Sequence, residues 1–162
     1  MEEITMKTLV VYYSLGGNTR AVARRIARAL KADVLEIRTT KTYPDDVDVL
    51  HGLAQQEVKT GYIPQLHPYR VDFDKYDAIV LGTPVWWSTF APAMKTFMKG
   101  KDWKGRKVFP FTTNGTTIGH TPSDFRKALK GAEVAPILSV QFEDRVQVTP
   151  ENIVKAWLEL IG

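Results

Sequence analysis

Cysteine is absent from all 162 residues. That absence excludes disulfides, thiolate-bound zinc, cysteine-ligated iron–sulfur clusters and CxxC redox chemistry together. Any redox work therefore needs a bound organic cofactor to carry the electrons. Long apolar runs are missing as well: none approaches the ~20 residues of a membrane helix. The start, Met1-Glu2-Glu3-Ile4-Thr5-Met6, lacks the basic-then-apolar pattern of a signal peptide. A cytoplasmic location without membrane insertion is the expectation. No G-x-x-x-x-G-K-[ST] occurs, and the glycines after the first apolar run do not have G-x-G-x-x-G spacing. The three histidines, His51, His67 and His120, have no metal-ligand spacing. Asp45, Asp46 and Asp48 lack the calcium-loop pattern and suit a helix N-terminus.

The formal charge is +4, with an isoelectric point near 9.3. Part of the excess lies in Arg20 to Lys31 and in Lys95 to Lys107. Without an aromatic–basic RNA motif or helix-turn-helix spacing, it reads as a solvated face rather than a nucleic-acid site. It suits an acidic protein partner or an anionic substrate.

Five strand-like runs alternate with five helix-like runs. The strands are expected near Lys7 to Tyr13, Asp33 to Arg38, Ala78 to Gly82, Lys107 to Thr112 and Val134 to Val140. The helices are expected near Thr19 to Lys31, Asp45 to Lys59, Pro92 to Lys99, Pro122 to Lys130 and Pro150 to Ile161. Thr121-Pro122 and Thr149-Pro150 read as threonine caps followed by Pro at the first helical position. Val154, Trp157, Leu158 and Ile161 share one face of the last helix. Pro136 suggests a sheet edge, and Pro110 suggests that the fourth ladder is already ending there. The alternation predicts one α/β domain over 1–162, with residues 1–6 a short N-terminal extension. It is a three-layer sandwich: a five-stranded parallel sheet of order 2-1-3-4-5 with helices on both faces. Such sheets bind ligands beyond the carboxyl ends of their strands, at the switch point between strands one and three. The rule selects the loops after Tyr13, Gly82 and Thr112.

The first loop holds Ser14, Gly16, Gly17, Asn18 and Thr19. Its glycines let the backbone approach a ligand, and its N–H groups with the helix dipole favour a phosphate dianion. The bland alternative is an ordinary turn with Asn18 or Thr19 capping the helix. Arg20 belongs in the first turn, facing solvent or reaching the phosphate. The second loop runs Thr83-Pro84-Val85-Trp86-Trp87-Ser88-Thr89-Phe90-Ala91-Pro92. Two adjacent tryptophans in a connection fit a flat ligand or a partner that covers them, or else core packing under the next helix. The third loop, with Thr113, Asn114, Gly115, Gly119 and His120, offers amide and hydroxyl groups to the polar edge of a heterocycle.

Cradle, aromatic wall and polar edge together suit flavin mononucleotide (FMN). Over nearly its whole length the chain resembles flavodoxin-like flavoproteins, whose phosphate loop reads Thr/Ser-x-Thr-Gly-Asn-Thr. Ser14, Gly17, Asn18 and Thr19 are in register with it, and Gly16 departs where a hydroxyl is usual. The stretch from Thr83 to Phe97, with Pro110-Phe111 and Thr113-Asn114-Gly115, is similar to a small bacterial flavodoxin-like subfamily. So is the segment from Tyr43-Pro44 to Ile63-Pro64-Gln65-Leu66. The resemblance implies FMN as cofactor, bound by the residues of the three loops named above, with no catalytic side chain and no metal. Two roles follow: an electron carrier between redox partner proteins, or an oxidoreductase that takes hydride from NAD(P)H and passes electrons to a quinone or similar small acceptor. Receiver domains share the strand order, but this chain has Tyr13-Ser14-Leu15 and Thr83 where they need acids.

Overall fold

The computed structural model describes residues 6–162, so residues 1–5 of the expected extension lie outside it. Met6, placed in that extension by sequence, packs against the core. The chain order is β1 Thr8–Tyr12, α1 Asn18–Leu30, β2 Asp33–Glu36, α2 Val47–Thr60, a 3-10 turn Phe73–Lys75, and β3 Ala78–Trp86. There follow β4 Thr89–Phe90, α3 Pro92–Met98, β5 Lys107–Asn114, α4 Thr121–Ala128, β6 Glu133–Val134, β7 Leu138–Glu143, β8 Val146–Gln147 and α5 Glu151–Leu158. The principal strands lie in the order β2-β1-β3-β5-β7, all parallel, which is the expected 2-1-3-4-5 arrangement.

Three short strands raise the count from five to eight. β4 folds back on β3, β8 folds back on β7, and β6 adds to β5. The expected last strand is split in two, with Ala135-Pro136-Ile137 in the gap. Pro110 does not end its ladder, because β5 continues to Asn114. The Arg106 and Val108 carbonyls accept from Glu133 and Ala135 N–H groups, so even-numbered residues of β5 turn their polar groups toward β6 and β7. Pro110 thus presents its missing donor to the break around Pro136. One proline excuses the other.

Alternation along the strands divides the core. Leu9, Val11, Ile79 and Leu81 face one side with Met94, Phe97, Trp103 and Phe125, the side of α3 and α4. Val10, Tyr12, Val80 and Phe111 face the other with Val22, Ile26, Val154 and Trp157, from α1 and α5. Asp46 caps α2 as expected, accepting from the Asp48 and Val49 N–H groups. Neither expected threonine cap forms. Thr121 is the first residue of α4 and its hydroxyl donates to the Ile118 carbonyl, while Thr149 accepts from the Gln141 N–H across the β7–β8 corner.

Arg20 is engaged elsewhere. It holds Glu36 with two hydrogen bonds, at 2.7 and 3.2 Å, and the Tyr12 hydroxyl donates to the same carboxylate at 2.8 Å. Burial alone would raise the Glu36 pKa. The hydrogen bonds from Arg20 and Tyr12 and the charges of Arg20 and Arg38 outweigh it and hold the group below its ordinary value. A lowered folded-state pKa means stability that is complete above the unfolded value and lost as pH falls through the folded one. Glu36→Gln is expected to cost roughly 1–2 kcal/mol at neutral pH. Melting curves of both proteins should converge as pH falls from about 7 to about 3; a gap unchanged by acid would contradict the assignment.

Candidate functional site

The three loops meet above the carboxyl ends of β1, β3 and β5. They bound one cavity of about 720 Å³, lined by Gly16 and Asn18 of the first, Pro84 to Ser88 of the second and Thr113 to Thr117 of the third. Nine of the residues singled out by sequence line it: Gly16, Asn18, Pro84, Val85, Trp86, Trp87, Thr113, Asn114 and Gly115. Ser14, Gly17, Thr19, Thr83 and Gly119 do not. These five hold the loops in place.

In the first loop the backbone turns through left-handed φ at Gly16 (86°) and Gly17 (102°), and α1 starts directly after. No side chain of Asn18 or Thr19 caps it; the Ser14 hydroxyl accepts from the Arg20 N–H at 3.1 Å instead. The Asn18 and Thr19 N–H groups have no partner among the described residues, and beside Gly16 nothing lies within 4 Å of where a Cβ would stand. Positive φ, open space and unpaired donors make an anion cradle. Thr19 and Thr113, both buried, share a 2.7 Å hydroxyl contact that pins the first loop to the third.

The second loop begins later than its sequence suggests. Thr83, Pro84, Val85 and Trp86 continue β3, and the connection is the two-residue turn Trp87-Ser88 into β4. Thr83 is wholly buried; its hydroxyl accepts from the Ala91 N–H and donates to the Pro84 carbonyl. Trp87 (φ 50°) and Ser88 (φ 70°) are both left-handed, as a type I′ hairpin turn requires. Such turns favour Asn-Gly, so a tryptophan and a serine there hold backbone strain, a feature of ligand clamps. Gly119 supports the turn. A Cβ on it would lie 2.3 Å from the Ser88 Cβ, and the neighbouring His120 N–H donates to the Ser88 carbonyl at 2.9 Å.

The two tryptophans divide the alternatives between them. Trp86 is 9% exposed and meets Tyr13 and Tyr43 edge-on, whereas Trp87 is 47% exposed. The Trp87 indole N–H donates to the His51 carbonyl of α2 at 3.0 Å. Burial, and next the charge of Glu57, raise the Tyr13 and Tyr43 pKa values far above normal, so both phenols stay neutral beside Trp86. The Tyr43 hydroxyl donates to Glu57. In the third loop, Asn114 is committed to structure. Its amide oxygen accepts from Thr112 and Ser139, and its amide nitrogen donates to the Thr116 carbonyl. That bonding fixes the backbone of Gly115 to Thr117 against the cavity. His120 stands exposed at the N-cap of α4, on Asp124, as a helix-start surface residue.

The chain matches the flavodoxin family model over residues 7–160. It belongs to the flavodoxin family. Among solved structures, this chain is similar to a protein of Bacteroides eggerthii provisionally called a flavoprotein. The two are 25% identical, with a TM-score of 0.80 over 96% of this chain and 98% of that one. A Lactobacillus acidophilus flavoprotein, solved in complex with FMN, shares the fold with a TM-score of 0.76 at 24% identity, over 94% of this chain and 98% of the other. Flavodoxin 2 of Bacillus cereus has the same fold at 19% identity, with a TM-score of 0.57 over 96% and 94% of the two chains. Among the described residues, no helix is long and apolar enough to cross a membrane.

Sequence reasoning missed part of the wall. Leu50, His51 and Ala54 of α2 and Phe142 and Asp144 of the β7–β8 corner also line the cavity. The i, i+4, i+8 apolar row Leu50, Ala54, Val58 was a readable signal for α2, because it needs something to cover. Nothing local marks the β7–β8 corner, which reaches the first loop only through the fold.

Proposed function

We propose that this protein holds FMN in the 720 Å³ cavity and carries electrons between redox partner proteins. The observation that supports this most is the convergence of the cradle, the exposed Trp87 and the backbone of Gly115 to Thr117 on one cavity. The residues fit the group. Gly16 and the Asn18 and Thr19 N–H groups would take its phosphate, Trp87 would wall one side of its ring, and Gly115 to Thr117 would meet its polar edge. Ser14, Thr19, Thr83 and Gly119 would act by fixing the loops. When bound, FMN accepts and releases electrons singly or in pairs. The chain supplies position, exclusion of water and the hydrogen-bonding edge.

A second reading, an NAD(P)H oxidoreductase for a quinone or similar acceptor, draws on a neighbouring cavity of about 440 Å³. It lies past the Trp87-Ser88 turn, between α2, β4 and α4, with Val58, Phe90 and Pro92 as apolar lining and Lys95 and Lys127 beside them. Glu57 and Asp124 line it too, but Lys41 and His120 hold those carboxylates. Neither Lys95 nor Lys127 is in an ion pair among the described residues, so two free ammonium groups border the space.

The test is to add FMN to the purified protein, desalt it and record its absorbance, alongside Trp87→Ala and Trp86→Ala. The wild type is expected to stay yellow. Trp87→Ala is expected to bind FMN roughly tenfold more weakly with little change in melting temperature, as loss of an exposed stacking face implies. Trp86→Ala is expected to lose about 3 kcal/mol of stability. A colourless wild type that retains no added FMN would end the proposal. Anaerobic NADPH oxidation with a quinone then separates the roles, since only the oxidoreductase turns over.

A further inference from the structure

The first loop carries donors but no cation of its own, and Gly16 offers no hydroxyl. The fold brings a cation to it from the far end of the chain. β7 and β8 pair Glu143 with Val146, which leaves Asp144-Arg145 as a two-residue turn, with Asp144 in the left-handed region at φ 56°. That turn is tied down onto the first loop. The Asn18 side-chain amide donates to the Asp144 carbonyl at 2.8 Å, across 126 positions of sequence. Arg25 of α1 holds the base of the same hairpin through Gln147 and, at 2.6 Å, through Glu151. With the turn so placed, Nη1 of Arg145 lies 3.8 Å from where a Cβ would stand on Gly17.

Among the described residues the exposed Arg145 forms no ion pair, as is true of Arg24, Arg28, Arg70 and Arg126, but Arg145 is the one whose guanidinium stands beside the first loop. The adjoining Asp144 lines the cavity. Arg145 itself stands outside that lining, beside Gly17, where its positive charge offsets that of the neighbouring Asp144. A guanidinium beside unpaired backbone N–H groups matches a phosphate monoester in charge and in donor geometry.

We infer that Arg145 is a specificity-determining residue for the phosphate group, selecting a phosphorylated ligand over its dephosphorylated form. The inference rests on the FMN reading of the cavity, and its test separates the two. FMN and riboflavin, which lacks the phosphate, are titrated into apoprotein of the wild type, Arg145→Gln, Arg145→Lys and Asp144→Asn, at low and at high salt. Arg145→Gln is expected to weaken FMN about tenfold, the scale of one charge-assisted contact, and to leave riboflavin within about twofold. Arg145→Lys should recover part of the loss, and Asp144→Asn should bind FMN at least as tightly as the wild type. Raising the salt from about 0.01 M to about 1 M should weaken FMN binding less in Arg145→Gln than in the wild type, because the screened charge is gone.

Unchanged FMN affinity in Arg145→Gln overturns the inference. So does an equal loss for FMN and riboflavin, the mark of a merely structural role. Should the wild type take up neither flavin, the FMN reading fails on its own, and inorganic phosphate decides the residue. Phosphate is then expected to shift the Asn18 and Thr19 amide resonances in the wild type and not in Arg145→Gln. No shift in the wild type, or the same shift in both, overturns the inference.

Discussion

Gly82→Ala is expected to destabilise the protein by roughly 3 kcal/mol, at the upper end of what core overpacking costs. Gly82 sits in β3, directly opposite Phe111 of β5 in the parallel register. The Phe111 ring lies over it: a Cβ on Gly82 would be 2.1 Å from Cζ and 2.3 Å from Cε1. The ring has no exit. Phe111 is fully buried and meets Trp157 of α5 at 6.4 Å with planes 72° apart. The glycine here provides space rather than backbone freedom, in the way an aromatic ring covers a glycine in a sheet. Urea unfolding of Gly82→Ala and of Gly82→Ala with Phe111→Leu measures it. The second change should restore at least half of the loss, because the smaller side chain vacates the clash. A loss below about 1 kcal/mol in the single variant would show that the ring moves aside. Since β3 runs on into Thr83 to Trp86, the single variant should also weaken FMN.

Gly119→Ala is expected to weaken FMN binding about a hundredfold, roughly 2.7 kcal/mol, with a smaller loss of global stability. Gly119 has φ 55°, already unfavourable for alanine. The added Cβ would stand 2.3 Å from the Ser88 Cβ and 2.7 Å from the Ser88 Cα. A contact with a backbone atom cannot be relieved by a rotamer change, so the turn must move. That turn carries Trp87, whose own left-handed backbone and 3.0 Å hydrogen bond to the His51 carbonyl leave it little tolerance. Ser88→Gly in the same chain should recover part of the affinity, since it removes the Cβ and Oγ contacts and leaves the one to Cα. Flavin titration by fluorescence quenching checks both variants. Gly119→Ala with wild-type affinity would show that the turn does not position the flavin wall.

Much of the architecture was legible in local pattern. Short β-branched and aromatic runs set the strands, i, i+3, i+4 rows set α1 and α5, and Asp46 began α2. Element ends were less so. Sequence ended β3 at Gly82 and began the second loop at Thr83; the strand continues because Thr83 and Pro84 pair with Thr112 and Thr113. The threonines before Pro122 and Pro150 read as caps, yet their hydroxyls are taken by Ile118 and Gln141. Arg20 faced solvent or phosphate in the helical projection, and found Glu36 on the neighbouring strand. Apart from Thr121, whose hydroxyl turns back to a carbonyl three residues earlier, a contact between elements displaced the local preference each time.

The sequence by itself determined the alternation of strands and helices, the absence of thiol chemistry and the chemical character of three loops. These follow from periodicity and residue type over stretches of ten or so residues. Only the tertiary structure decided which loop residues line the cavity and which are spent holding it, as Thr19 is spent on Thr113 and Thr83 on Ala91. It also decided that Trp86 is buried while Trp87 is exposed, that α2 closes one wall, and that Arg145 stands beside Gly17. Those outcomes depend on pairings between distant segments, whose partners are chosen by sheet register and packing rather than by anything within reach along the chain.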